Sequence, residues 1–94
     1  MEPIATRKLI LERQGGHGEV LVLLGHPQQD EHGDFVCLLE ITGLGEEHRY
    51  ASHGVDGVQA LQLALKTASA VLDTFAQQGA TLRWNDETNL GFDS

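Results

Sequence analysis

The sequence predicts an α+β domain with two layers: an antiparallel three- to four-stranded meander and one long C-terminal helix packed on one face of it. The first observation is a series of short apolar segments that alternate in polarity. The second is the brevity of the turns between them, because parallel neighbours would need a long crossover. The third is a single long amphipathic segment, wide enough to cover one face of the sheet but not both.

Three strands are predicted in the first half of the chain. The first spans Ile4–Gln14, and the second spans Glu19–Gly25 after a glycine-rich turn at Gly15–Gly18. The third spans Asp34–Thr42, with an apolar row on one face and Val36, Leu38 and Glu40 on the other. A short fourth strand is predicted at His48–Ser52, which completes a meander of three to four strands.

The long helix is predicted within Gly54–Gly79. Asp56 is a good N-cap, and Gln59 three residues later completes a pair that resembles a capping box. Gly79 is the natural residue to end the helix. One stripe at spacings of three and four is predicted to face the sheet: Val58, Leu61, Leu65, Ala68, Leu72 and Phe75. A further short strand is allowed at Thr81–Trp84.

Composition limits the classes of function. Six Lys and Arg against 14 Asp and Glu give a net charge of −8, which argues against nucleic acid because phosphate binding depends on clustered basic residues. One cysteine excludes an internal disulfide and fits a reducing compartment. The sequence shows neither a signal peptide nor an apolar run long enough to span a membrane. We expect one cytoplasmic domain, residues 1–94, that binds neither nucleic acid nor membrane.

The sheet face that points away from the helix is predicted to be unusually apolar. A face open to water should carry mostly polar side chains. Here Ile10, Val36 and Leu38 point away from the helix, so we take them as a candidate interface. Self-association as a homodimer and binding of another protein would both explain them. A third explanation is that the C-terminal tail, with Leu90 and Phe92, folds back over this face.

Residues able to do chemistry are few. The hairpin loop from His26 to Asp34 contains two histidines and three acidic residues, but it lacks the ligand spacing of known zinc motifs. Cys37 lies in mid-strand among aliphatic residues and is predicted to be a small core residue. Neither GxSxG nor HExxH occurs. We therefore expect no enzymatic activity, no catalytic residue, no metal site and no cofactor.

The start of the helix carries a family resemblance. Gly54–Leu65, GVDGVQALQLAL, resembles the signature of a family of small bacterial domains of unknown function, whose helix opens G-[VI]-D-x-[VL]-Q-A-L-Q-L-A-L. Four other features look similar: Phe35 and Cys37 in the third strand, the turn Ile41–Leu44, Trp84, and the late segment Leu90–Phe92. The resemblance implies a stand-alone or accessory bacterial domain, and it supplies no activity.

These observations predict a non-enzymatic protein-interaction module. It would act as a homodimer or as an acidic binder of a protein partner, in the manner of an inhibitor or immunity protein. The alternative is a small-ligand or metal-binding domain that uses the hairpin loop His26–Asp34.

Overall fold

Six strands and one helix account for the regular structure of the described residues. The computed structural model describes residues 1–92, so residues 93 and 94 of the predicted domain lie outside the described part. The elements are β1 (Pro3–Arg13), β2 (Gly16–Gly25), β3 (Gln28–Gln29), β4 (Phe35–Thr42), β5 (His48–Gly54), α1 (Gly57–Gln77) and β6 (Thr81–Arg83).

The strands form one antiparallel sheet in the order β5-β4-β2-β1-β6. Because β5 occupies one side of β4 along its length, β3 pairs with β4 on the same side as β2. β3 therefore continues β2 beyond Pro27. The register shifts by one residue across this interruption, from Leu24 opposite Leu39 to Gln28 opposite Val36.

The predicted count of three to four strands is wrong, because residues 1–92 contain six. The fourth strand forms as β5, and β6 forms where the sequence allowed a short strand. The unforeseen strand is β3, which lies inside the predicted polar loop and consists of two exposed glutamines. Pairing uses backbone N–H and C=O groups, so a short strand needs no apolar side chain, and the polarity pattern cannot reveal it.

The ends of α1 form as predicted. The Asp56 carboxylate accepts a hydrogen bond from the Gln59 backbone N–H at 2.8 Å, and the Gln59 side chain accepts one from the Val55 N–H at 2.7 Å. This is a capping box whose second bond is displaced by one residue. The helix ends at the C-cap Gln78, followed by Gly79. No helix within residues 1–92 combines the length and the apolarity needed to cross a membrane.

The face of α1 that meets the sheet is a stripe of three alanines and one leucine. Its fully buried members lie four residues apart: Ala60, Ala64, Ala68 and Leu72. Three predicted members are partly buried on its flanks: Leu61, Leu65 and Phe75. The prediction was wrong for Val58, which is 65% exposed. Alanine at the centre lets the helix backbone approach the sheet closely, and the larger side chains fill the space on either side.

The C-terminal tail, Trp84–Phe92, packs beside α1 on the same side of the sheet. Arg7 shares a face of β1 with the buried Leu9, and its guanidinium donates to the Leu90 carbonyl oxygen at 3.0 Å. Leu90 and Phe92 are partly buried against the core. They fold back on the helix side of the sheet, so the explanation in which they cover the opposite face is wrong. The tail up to Phe92 therefore leaves the opposite face uncovered.

Candidate functional site

The candidate site is the outer face, which we define as the strand residues that point away from α1. Its apolar members are Ile4, Ile10, Leu21, Leu23, Val36, Leu38 and Ala51. Within residues 1–92 no helix or tail segment packs over this face, because α1 and the tail both occupy the other side. The predicted interface residues Ile10, Val36 and Leu38 all lie on this face.

One end of the outer face is apolar and indented around Leu38. The Leu38 side chain is 47% exposed and Ile4 is 51% exposed, while Val36 is half-buried beside them. Hollows of about 770 and 410 Å³ flank Leu38, and Met1 lines both of them. We call Met1, Ile4, Val36 and Leu38 the Leu38 patch. Two of the three predicted interface residues meet there.

Ile10 lies at the opposite end of the same face. The register places Ile10 opposite Glu19 on β2, whereas Gly25 of β2 lies against Leu38. These two β2 positions are separated by roughly 20 Å of strand. Ile10 is therefore on the predicted face but not in the Leu38 patch, and it is half-buried beside Arg83.

The outer face carries equal numbers of basic and acidic side chains. Three basic side chains point to this face, Lys8, Arg49 and Arg83, and so do three acidic ones, Glu12, Glu19 and Glu40. Two ion pairs join them, Arg49 to Glu40 at 2.8 Å and Arg83 to Glu12 at 2.6 Å. The face is thus close to neutral, although the chain as a whole carries a net charge of −8.

Sequence reasoning missed Met1 and Ile4 as members of the patch. The signal for Ile4 was present, because Ile4 begins the predicted first strand and alternation places it on the same face as Ile10. No local signal identifies Met1, since it lies outside the strand and reaches Leu38 only through the fold.

Polar side chains of the hairpin loop His26–Asp34 form hydrogen bonds within the loop itself. The Asp30 carboxylate accepts hydrogen bonds from the backbone N–H groups of His32, at 2.8 Å, and Asp34, at 3.0 Å. His26 bonds to the Pro27 carbonyl oxygen through Nδ1 at 2.9 Å. Among residues 1–92 the structure brings no three His, Cys, Asp or Glu side chains together as a metal ligand set.

Cys37 lies in the core, as predicted. Its side chain is fully buried, and Sγ lies 3.4 Å from the Gly25 carbonyl oxygen. Burial raises the pKa of the Cys37 thiol, because the charged thiolate loses its hydration there. This environment keeps the sulfur in its less nucleophilic protonated form.

Two clefts lie on the helix side of the sheet. A cleft of about 480 Å³ lies between α1, the N-terminal half of β1 and the end of the tail. A second cleft of about 480 Å³ lies on the other side of Phe92, toward the C-terminal half of α1. Phe92 lines both, so the tail divides what would otherwise be one groove.

Comparison with known proteins places the chain at the level of a family. No curated protein and no solved structure gives a significant match. A family model described as a domain of unknown function (DUF6968) matches residues 5–94, which is nearly the whole chain. This agrees with the expected resemblance to a family of unknown function. On that match, the chain belongs to the family of the domain of unknown function DUF6968.

Proposed function

We propose that this protein is a non-enzymatic interaction module of the bacterial cytoplasm, and that it forms a homodimer through its outer face. The observation that carries the proposal is the Leu38 patch, where aliphatic side chains from the N-terminal segment and β4 stay in contact with water. A monomer gains nothing from this exposure, whereas burial of each such side chain contributes roughly 1.5 kcal/mol or more. The lone buried cysteine is consistent with a reducing compartment.

The charge balance of the outer face favours a second copy over a basic partner. A strongly acidic face would repel itself, but this one carries equal numbers of basic and acidic residues. The acidic excess lies elsewhere, including the hairpin loop and the turn at Glu46 and Glu47. A surface that served as an acidic binder would concentrate that excess at the contact.

The size of the outer face suits a small dimer. Five strand positions at about 4.8 Å, and strands of about eight residues, give a face of roughly 600 Å². A two-fold contact across it would bury on the order of 1,200 Å² in total, which is the lower bound for stable interfaces. We therefore expect a dimer of moderate affinity, sensitive to one charge placed in the Leu38 patch.

Solution mass tests the proposal. Light scattering coupled to size exclusion should give a dimer for the natural protein and a monomer for Leu38→Glu, because the contact would then bury an unpaired glutamate from each copy. Leu38→Thr keeps a residue that favours strands and should weaken the dimer less. Far-ultraviolet circular dichroism confirms that each variant is folded.

The matched control is Val58→Glu. It makes the same apolar-to-acidic change at an exposed position of α1, on the other side of the molecule, so the dimer should persist. A natural protein that stays monomeric at millimolar concentration would contradict the proposal. So would a dimer that Val58→Glu disrupts and Leu38→Glu leaves intact, since the contact would then involve the helix.

A further inference from the structure

A second and independent feature, the cleft between α1 and β1, points to a small-molecule ligand. We propose that this cleft binds a monocarboxylate with an apolar body, such as a medium-chain acyl carboxylate. The inference goes beyond dimer formation, because the cleft lies on the helix side of the sheet and shares no residue with the Leu38 patch.

Apolar side chains line the part of the cleft that would hold the body of such a ligand. Val22 and Leu24 of β2 lie beneath the cleft, Leu65 of α1 forms one wall, and the Phe92 ring closes one end. A volume of about 480 Å³ falls within the range of pockets that hold small organic ligands. The apolar lining selects a hydrocarbon or an aromatic body over a sugar or a nucleotide.

Two basic side chains at the same cleft favour a negatively charged head group. Arg7 and Lys66 both line it, with the amide of Gln62 nearby in sequence and space. The ion pairs formed within residues 1–92 involve neither Arg7 nor Lys66. Two of the six basic residues of an acidic chain therefore converge on one apolar cleft without a carboxylate from the described residues.

The guanidinium of Arg7 is already held in place for an anion. It contacts two aromatic rings, with Cζ 3.9 Å from the Trp84 centroid and 4.9 Å from that of Phe92. Both of its hydrogen bonds to the described residues leave from Nη1, toward the carbonyl oxygens of Leu90 and Gly91. The Nε–Nη2 edge has the fork geometry that carboxylates prefer.

The neighbouring cleft carries the opposite charge. It has a similar volume and shares Phe92, but its charged residue is Asp73, and its remaining polar groups are hydroxyls and an amide. No cation lines it. An anionic ligand is therefore directed to the cleft of Arg7 and Lys66, and the adjacent space would repel it.

Tryptophan fluorescence provides the test, because Trp84 is the only tryptophan of the chain and stacks on Arg7. Titration with octanoate, below the concentration at which it forms micelles, should give a saturable change. Octanamide has the same length without the charge, and acetate has the charge without the body. Both should bind at least about fivefold more weakly, since each keeps only half of the recognition.

The lysines of the chain supply the matched control, because there are only two. Lys66→Gln should weaken octanoate binding by about three- to fivefold, as expected for an exposed charge, while Lys8→Gln, on the outer face, should leave it unchanged. Leu38→Glu should also bind octanoate normally, so failure of the dimer and failure of the cleft are distinguishable.

Three outcomes would overturn the inference. Octanoate that produces no saturable change would show that the cleft does not take this class of ligand. Equal affinity for octanamide would leave an apolar hollow without anion selectivity. Equal effects of Lys66→Gln and Lys8→Gln would assign any binding to the general charge of the protein.

Discussion

Arg7 and Trp84 come from opposite ends of the chain and lie face to face, with the guanidinium carbon 3.9 Å from the ring centroid. The same guanidinium bonds to the Leu90 carbonyl oxygen at 3.0 Å. This contact fastens the tail to β1 beside the helix. The tail is thereby attached to the side of the sheet on which α1 packs.

Replacing Arg7 should loosen the tail. Arg7→Ala removes the stacking and both hydrogen bonds, and we expect it to lower the free energy of unfolding by about 2 kcal/mol. Trp84 should then emit at longer wavelength, because water reaches the ring. Urea titration followed by fluorescence measures both effects. Arg13→Ala, which loses a single exposed bond to the Gly43 carbonyl oxygen, should cost under about 1 kcal/mol; an equal cost would contradict this role for Arg7.

The alanine stripe of α1 sets the distance between helix and sheet. Ala64→Leu should overpack this contact and cost roughly 1–3 kcal/mol, because Ala64 is fully buried. Ala70→Leu adds the same atoms at an exposed helix position and should be nearly neutral. Thermal unfolding of the two variants makes the comparison. Similar melting temperatures would mean that the helix can shift without loss.

Two glycines of one turn should respond differently to alanine. Gly43 and Gly45 both have positive φ, +96° and +93°. A Cβ on Gly43 would overlap the backbone of Glu19, whereas one on Gly45 meets open space. Gly45→Ala should cost about 1 kcal/mol of strain, and Gly43→Ala at least about 2 kcal/mol more. Chemical denaturation measures both, and equal values would place the turn further from β2 than described.

Burial of Cys37 makes stability depend on pH in the alkaline range. The pKa of its thiol is raised in the folded protein above the ordinary value of 9.0. Below that value both states keep the proton, and the thiol adds no pH dependence. Above it the unfolded chain loses the proton first, so stability falls by up to about 1.4 kcal/mol per pH unit until the folded thiol ionises.

The comparison with Cys37→Ala isolates this effect from other groups that titrate at high pH. Urea midpoints measured between about pH 8 and pH 10 should fall more steeply for the natural protein than for the variant. The native thiol should also react with a thiol reagent much more slowly than in urea. Parallel pH profiles, or rapid reaction of the native thiol, would contradict the buried position.

The sequence was informative where local chemistry decides the structure. The cap at Asp56, the end at Gly79 and the buried position of Cys37 follow from residue type and pattern, and all three are found. The prediction that Val58 faces the sheet was wrong, because the predicted stripe of the helix was chosen by the hydrophobicity of its side chains. The packed face instead uses alanines, whose small size permits close approach, and Val58 lies beyond its edge.

The parts that could not be predicted depend on contacts between distant segments. No local pattern pairs Arg7 with the tail, and so nothing indicated which face the tail would cover. The predicted interface residues Val36 and Leu38 lie together because they share one strand. Ile10 lies far from them because the strand register, which the sequence pattern leaves free, places it at the other end of the face.

The neutrality of the outer face has a consequence for ionic strength. The outer face holds three of the six basic and three of the 14 acidic side chains, so the rest of the chain carries the whole net charge of −8. Two copies joined at this face repel each other only through charges that lie away from the contact. Added salt screens that repulsion, so the dimer should tighten in salt, while octanoate binding at Arg7 and Lys66 should weaken.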